Sequence, residues 1–515
     1  MRPDPGAGRL LRSLRLVVAP LALGAAAVAG FSPFGLYALP VASLAGLALV
    51  WRRCASARAA ALAGFSFGAG LFLAGVSWVY VSLHVYGGMA APVAALFTLA
   101  FCTILACYPA VAGALLARLP VRNDACRLLL AFPALWTASE WLRGWLFTGF
   151  PWLAIGYSQV PSSPLAGYAP LGGVFGVSLA AAALAGAGAL LAEGLAARRH
   201  RDAAIAACVA VALVAAGALA RQHAWTQPLP GEPLPVTLLQ GNIPQELKWR
   251  PERAIATLET YRELMHEAPG RLVLLPETAL PVLDVDLPKD YLDALAAGPA
   301  RNGGDVLYGI AELDASGRYF NSVRSAGTAP VQTYRKHHLV PFGDYFPMRS
   351  LLGWIMQLLH IPMSDFSRGE AVQKPMRVAG QEVAVNICYE DAFGEEIIRQ
   401  LPQATLLANF TNDAWWGDTI ASRQHLQIAQ MRAAETGRPM LRATNTGVTA
   451  VIGADGAVLA TAPEFSTTSL NAEVHGYSGS TPYVRWGNLG MLALCALMLL
   501  AAVHAGLSLR RSNQD

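Results

Sequence analysis

The sequence predicts a polytopic α-helical membrane protein of about eight spans, with one layered α/β or α+β domain between the last two. Three observations predict it. First, the 515 residues are 54% hydrophobic and only 14% charged, where a soluble chain carries about 25% charged residues. Second, the deficit is uneven: charges are sparse through residue 220 and after 484, and ordinary in between. Third, the middle segment alternates short apolar runs with one-sided helical patterns, as strands covered by helices do. The chain therefore divides into a membrane domain over 1–220 with about seven helices, a globular domain over 221–484, and a last span with its tail over 485–515.

The apolar stretches run 16–31, 36–51, 59–82, 89–117, 128–146, 170–193, 203–220 and 487–507. The longest match a bilayer core, which needs about 20 residues of helix. Pro33 and Gly35 separate the first two, which are short enough for a tight or tilted hairpin. Arg2, Arg9, Arg12 and Arg15 with "AVAG" at 27–30 also fit a cleavable signal peptide. A retained first helix is expected, because seven further spans need no cleavage for targeting.

Orientation follows from the arginines. They cluster at the N-terminus, at Arg52, Arg53 and Arg58, at Arg118, Arg122 and Arg127, at Arg198, Arg199 and Arg201, and at Arg510 and Arg511. The opposite links are nearly free of Lys and Arg, Arg143 excepted. Both termini are expected in the cytoplasm and the 221–484 domain on the far side, which in a bacterial inner membrane is the periplasm. Glu140 and Arg143 lie near the end of span five, where charge is costly. Local pairing, head-group support and snorkelling are all open for them.

In the globular segment, 234–242, 271–278, 305–313, 383–390 and 404–413 have the pattern of buried strands. Helices are expected over 254–268 and 422–437, and a hairpin over 450–460 turning at Asp455–Gly456. Several strands end on polar residues: Glu277, then Cys388 with Glu390, then Asn409, Asn412 and Asp413. Such positions, beyond the carboxyl ends of strands, are where α/β sites form. Asn412 and Asp413 are equally explained as turn residues or helix caps.

Of the seven cysteines, Cys388 is the one in this polar segment. It has no disulfide partner there, and an unpaired thiol is a liability in an oxidising compartment. A nucleophile and an inert buried thiol are both open at this point. His337 and His338 are adjacent, so in a strand they would face opposite ways, and no metal-binding pattern occurs. No metal is expected. The lack of a glycine-rich phosphate loop or a basic stripe argues against an ATP-driven transporter and against nucleic acid.

The motifs "QGNIPQELKW" (240–249), "LLPETALP" (274–281), "YRKHHLVPFGDYFP" (334–347), "NICYEDAF" (386–393), "NFTNDAWWGD" (409–418) and "RPMLRATNTGVTAVI" (438–452) follow one another in a family order. Over nearly its whole length the chain resembles the apolipoprotein N-acyltransferases, bacterial inner-membrane enzymes whose exported domain is nitrilase-like. The resemblance implies a four-layer α-β-β-α sandwich and a triad of Glu277 as base, Lys336 as oxyanion-stabilising cation and Cys388 as nucleophile. Asp344 stands where the family has a second glutamate, and would position Lys336 or support the oxyanion. Glu390 matches a family acid, and Tyr389 either shapes the acyl entrance or packs. Trp249, Trp415 and Trp416 would form a gate or lipid-facing rim, with one ring of the adjacent pair exposed.

The implied reaction moves an acyl chain from a phospholipid, typically the sn-1 chain of phosphatidylethanolamine, through a Cys388 thioester to the N-terminal amine of a diacylglyceryl apolipoprotein. Lipid bilayer, phospholipid donor and apolipoprotein acceptor are the implied partners, with no cofactor and a monomeric chain. A membrane-tethered amidohydrolase and a catalytically dead transporter or scaffold are the alternatives.

Overall fold

The computed structural model describes residues 5–346 and 365–511, so Arg2 and Pro347, which closes the lysine motif, lie outside the described residues. The chain forms two compact units. One takes the described residues up to Ser77, Ala95–His223 and the described residues from Trp486; the other takes Trp78–Ala94 and Ala224–Arg485.

In the first unit every apolar stretch carries a helix. Among the described residues four helices, Ala57–Gly75, Ala91–Arg118, Pro164–Ala196 and His200–Ala220, are long and apolar enough to cross a membrane. Leu16–Gly30, Ala38–Arg52 and Leu489–Ala505 are shorter apolar helices. Ser56 starts Ala57–Gly75 by accepting from Ala59 N at 3.2 Å, a side-chain cap for an otherwise orphan donor. Helices apolar on all sides gain nothing from burying one face, so they associate by close packing of small residues. A Cβ at Gly24 would run into Phe67 O, and one at Gly70 into Leu21 O.

Glu140 and Arg143 are both only 3% exposed. Arg143 donates to Phe150 O and, at 2.6 Å, to Trp152 O. Glu140 accepts from Trp136 Nε1 at 2.9 Å and Ile155 N at 3.0 Å. Each thus fastens the irregular backbone after its own helix, an arrangement that neither snorkelling nor head-group support anticipated.

Among its described residues the second unit has fourteen strands. β1 (Thr226–Pro228) pairs with β14 (Tyr477–Gly479). One six-stranded sheet runs β13-β2-β3-β4-β5-β6, made of Thr468–Val474, Leu234–Gln240, Leu272–Leu283, Asp305–Leu313, Tyr319–Gly327 and Thr333–Arg335. The other runs β12-β11-β10-β9-β8-β7, made of Val458–Thr461, Ala450–Ile452, Met440–Thr444, Leu406–Thr411, Gln381–Ile387 and Met376–Val378. Each sheet has a parallel centre, β2-β3-β4 and β8-β9-β10, with antiparallel flanks. The central strands are apolar on both faces, as parallel strands buried on both sides must be.

Side-chain alternation then makes four layers. Val236, Leu238, Leu272 and Leu274 of one sheet meet Val383, Val385, Leu406 and Phe410 of the other in a single core. The residues between them point away. Leu239, Val273 and Leu275 pack on Tyr261 and Met265 of helix Pro251–His266 and on Leu295 of helix Lys289–Arg301. Ala384 and Leu407 pack on Ala429 and Ala433 of helix Ala421–Thr436. The result is the α-β-β-α sandwich that the resemblance implied. Each expected strand and helix is present with ends shifted by a few residues, and the hairpin joins β11 to β12.

Candidate active site

Glu277 lies within β3, Lys336 directly after β6 and Cys388 directly after β8. The register of β3 on β4 slips between Leu275 and Leu280, which lifts Glu277 out of the regular ladder. Thr278 sits at φ 44 and Gly309 faces the slip; a Cβ there would be 2.8 Å from Glu277 Cα. Cys388 has φ 54 and opens the 3-10 turn Cys388–Ala392. A side-chain-bearing residue at positive φ is held there by its surroundings, and such strain clusters at functional positions.

The structure brings the acids and the lysine together. Lys336 is 2% exposed, and its Nζ is 2.8 Å from Asp344 Oδ2 and 3.3 Å from Glu277 Oε1. Burial disfavours the ammonium, but Asp344 and Glu277 outweigh it and hold Lys336 well above its ordinary value. Asp344 Oδ2 also accepts from Val340 N at 2.8 Å, and Asp344 N donates to Val340 O at 2.8 Å, so the shorter acid reaches the lysine from a backbone that is tied down. Glu277 Oε1 accepts from Asn321 Nδ2 at 2.7 Å as well.

The half-buried Cys388 thiol is pushed up by burial first and by Glu277 second; Lys336 and a hydrogen bond with Thr411 pull the other way. The resting sulfur is therefore a thiol, which has to lose its proton to a base as it attacks.

Glu390 is a clamp. Its Oε1 accepts from His337 N at 2.6 Å and His338 N at 3.0 Å, and its Oε2 from Ile387 N at 2.7 Å and Tyr334 Oη at 3.0 Å. Burial pushes its carboxyl up to about 7, against the pull of those three backbone N–H groups. One side chain thus fixes the residue before Cys388 to the two residues after Lys336. His337 Nδ1 contacts Gly369 O, and His338 Nδ1 contacts Glu396 while its ring stacks on Phe393 at 3.6 Å. Tyr389 joins that ring cluster, 5.1 Å from Phe393, which favours its packing role.

The tryptophans separate into two places. Trp249 packs beside Leu339, Tyr345 and Phe366, next to the lysine motif. Trp415 and Trp416 lie in the 3-10 turn Asp413–Trp416, and both are half-buried, so neither ring is the exposed one expected. Segment 78–94 covers them. Trp78 lies 5.2 Å from Trp416, Tyr86 6.5 Å from Trp415, and Ser82 Oγ donates to Trp415 O at 2.9 Å. Asn412 precedes the Asp413–Trp416 turn without making a side-chain cap bond to it. Asn412 accepts from Asn445 Nδ2 at 3.0 Å and donates to Gln245 Oε1 at 2.7 Å, while Asp413 enters a buried ionic cluster.

Three neighbours of the site had no role assigned from the sequence, although Lys248 and Asn409 stand inside quoted motifs and Asn409 is one of the strand-end polar residues. Lys248, 3% exposed, donates to Glu277 O at 3.0 Å; burial lowers its ammonium to about 8, against the pull of Glu277 and Cys388. Asn321 stands on β5 outside every motif. Asn409 donates to Cys388 O at 3.1 Å. A lone Lys or Asn has no telling spacing, and only the fold aims it. Among the described residues no group of three or more His, Cys, Asp or Glu is placed to hold a metal ion.

Residues 23–187 match the apolipoprotein N-acyltransferase N-terminal domain, and residues 235–483 match the carbon-nitrogen hydrolase domain. The apolipoprotein N-acyltransferase of Nitrosomonas europaea is 52% identical over 96% of this chain and 99% of its own. That of Ralstonia nicotianae is 47% identical over 94% and 93%. Among solved structures, an amidase from Nesterenkonia sp. aligns at 16% identity and a TM-score of 0.36 over 51% of this chain and 97% of its own.

Proposed function

The chain belongs to the apolipoprotein N-acyltransferase family, and from that premise we propose that Cys388 carries the acyl group as a thioester between phospholipid and lipoprotein. It is a membrane acyltransferase acting on the N-terminus of lipoproteins, with phospholipid as the acyl source. The observation that best supports the mechanism is the buried contact of Lys336 with Glu277 and Asp344, set beside a neutral thiol that both Lys336 and Glu277 influence.

In the first half-reaction the Cys388 sulfur attacks the ester carbonyl, typically of the sn-1 chain of phosphatidylethanolamine, as its proton passes to Glu277. An ammonium has three N–H donors; Asp344 and Glu277 take two on Lys336, leaving one for the oxyanion. The carbon–oxygen bond then breaks, and the departing lysophospholipid alkoxide takes the proton from Glu277. In the second half-reaction the free α-amine of the diacylglyceryl cysteine attacks the thioester and gives a proton to Glu277. The carbon–sulfur bond breaks, the amide leaves, and the proton returns to Cys388. Asp344 and Glu390 position Lys336 and the Cys388 turn, Tyr389 packs behind that turn, and Trp249, Trp415 and Trp416 edge the lipid path.

Lys248 steadies the carbonyl of the base. Lys248→Met is expected to slow single-turnover acylation of Cys388 by about tenfold or more, the worth of one hydrogen bond from a charged donor. Quenched-flow sampling with intact-mass detection measures it, and an unchanged rate in folded protein would remove Lys248 from the site.

Both substrates are anchored in lipid, so the same reading puts the domain 221–484 at the periplasmic face of the inner membrane. It is held there by seven spans within 1–220 and one within 485–515, in a chain that acts alone. The arginine distribution supports this orientation. A reporter fused after Arg221 should be active only outside the cytoplasm, and one fused after Arg511 only inside. The reverse pattern would overturn the topology and, with it, the choice of substrate face.

A further inference from the structure

Beneath the Cys388 turn lies an ionic cluster that the mechanism above does not use. His425, Asp391 and Arg442 are 0% exposed and Asp413 1%. His425 Nε2 is 2.9 Å from Asp391 Oδ1, and its Nδ1 is 2.9 Å from Asp413 Oδ1. Arg442 bridges the same two acids, Nη1 to Asp391 Oδ2 at 3.3 Å and Nη2 to Asp413 Oδ2 at 3.0 Å. Carboxylates only accept, so each ring nitrogen must carry a proton to use its contact, which makes His425 an imidazolium.

Arg442 Nη2 also lies 2.9 Å from His425 Nδ1. A neutral ring accepting from Arg442 would turn its lone pair on Asp413 Oδ1. The protonated ring avoids this, because it and the guanidinium take one oxygen of Asp413 each. The two acids raise His425 in spite of burial and Arg442, which agrees with the geometry. Two cations then balance two anions among side chains that have almost no exposed surface.

The cluster reaches the nucleophile along three paths. Asp391 belongs to the turn that Cys388 opens. Arg442 Nη1 donates to Asn409 Oδ1 at 2.6 Å, and Asn409 Nδ2 donates to Cys388 O at 3.1 Å. Thr411 Oγ1 is 3.1 Å from Asp413 Oδ1 and hydrogen-bonds with Cys388. Asp413 also heads the tryptophan turn, and the Trp416 ring stands 5.1 Å from the His425 ring.

We infer that His425 is a positioning residue whose positive charge keeps the nucleophile turn and the tryptophan turn joined in one electrically neutral unit, and that acylation of Cys388 depends on that neutrality. The inference rests on Cys388 being the nucleophile. Without the imidazolium, one guanidinium faces two buried carboxylates. The uncompensated negative charge then opposes the anionic sulfur and oxyanion of the transition state.

The test compares single-turnover acylation by phosphatidylethanolamine vesicles in wild type, His425→Gln and the double variant His425→Gln/Asp413→Asn. The single variant is expected to acylate about 10–100-fold more slowly, the equivalent of one to two pKa units of lost stabilisation. The double variant, with one cation facing one anion, should recover at least about tenfold of that loss through the coupling that contacting charges show. Its thermal melt should recover too if the single variant folds poorly. A double variant no better than the single one, through lost acylation or lost fold, overturns the inference, because a purely structural histidine gains nothing from losing a second contact. A wild type that shows no Cys388 adduct would instead overturn the nucleophile assignment beneath it.

Discussion

Cys388→Ser is expected to abolish the acyl-enzyme while leaving a folded, membrane-inserted protein. The hydroxyl fits the space of the thiol, but its proton is far harder to remove, and the site already works against an anion at this position. Burial and Glu277 push the native thiol up, and a serine there faces the same environment from a less acidic start. Loss of a covalent nucleophile costs other enzymes as much as about 10⁶-fold in kcat, so turnover should fall below detection. In wild type incubated with phosphatidylethanolamine and no acceptor, one hydroxylamine-sensitive acyl mass should build up on the Cys388 peptide. A diacylglyceryl peptide with a free amine should discharge it as amide, and an N-blocked peptide should leave it in place. Full turnover by the serine variant would falsify the covalent route. Rapid release of free fatty acid from wild type, with no amide formed, would favour an amidohydrolase.

Glu277→Gln should lower first-turnover acylation by about 10²–10⁴-fold, the usual worth of a general base. Shape is preserved, but an amide cannot take the thiol proton. The change also removes one of the two carboxylates around Lys336, leaving Asp344 at 2.8 Å as its ion-pair partner. The ammonium should stay charged, so loss of rate would report loss of the base and not of the cation. Quenched-flow acylation of detergent-solubilised variant, checked for fold by thermal melt, measures it. A rate close to wild type would require another group to accept the proton.

The fold was legible wherever burial leaves a one-dimensional trace. Strands β2, β3, β4, β8 and β9 are buried along almost their whole length and stand out as apolar runs. β13 did not: Thr468–Val474 is half-exposed at a sheet edge, so its polar residues blur the pattern. Helix Lys289–Arg301 was hidden by Gly298 and Pro299, which argue against helix in a local reading. The division into four layers needs strand order, which periodicity does not contain. In the site, Glu277, Lys336 and Cys388, with Asp344 and Glu390 beside them, came from long motifs, whereas the roles of Lys248, Asn321 and the His425 cluster came from the fold. Asp391 lies 34 residues from His425 and Arg442 lies 29 from Asp413. Such pairings leave no local pattern, and a buried histidine looks the same in sequence whether it is ionised or packed.

The grouping of residues 78–94 with the globular unit bears on how the molecule is made. The ribosome delivers this segment first, then several whole helices, and only afterwards residues 224–485. For that interval Trp78 and Tyr86 have no Trp415 or Trp416 to meet, so this edge of the unit cannot close until synthesis is nearly complete. A fragment cut as 224–485 for secretion would emerge with its tryptophan turn bare. It would need the earlier segment supplied in trans or grafted on before its surface matched that of the intact protein.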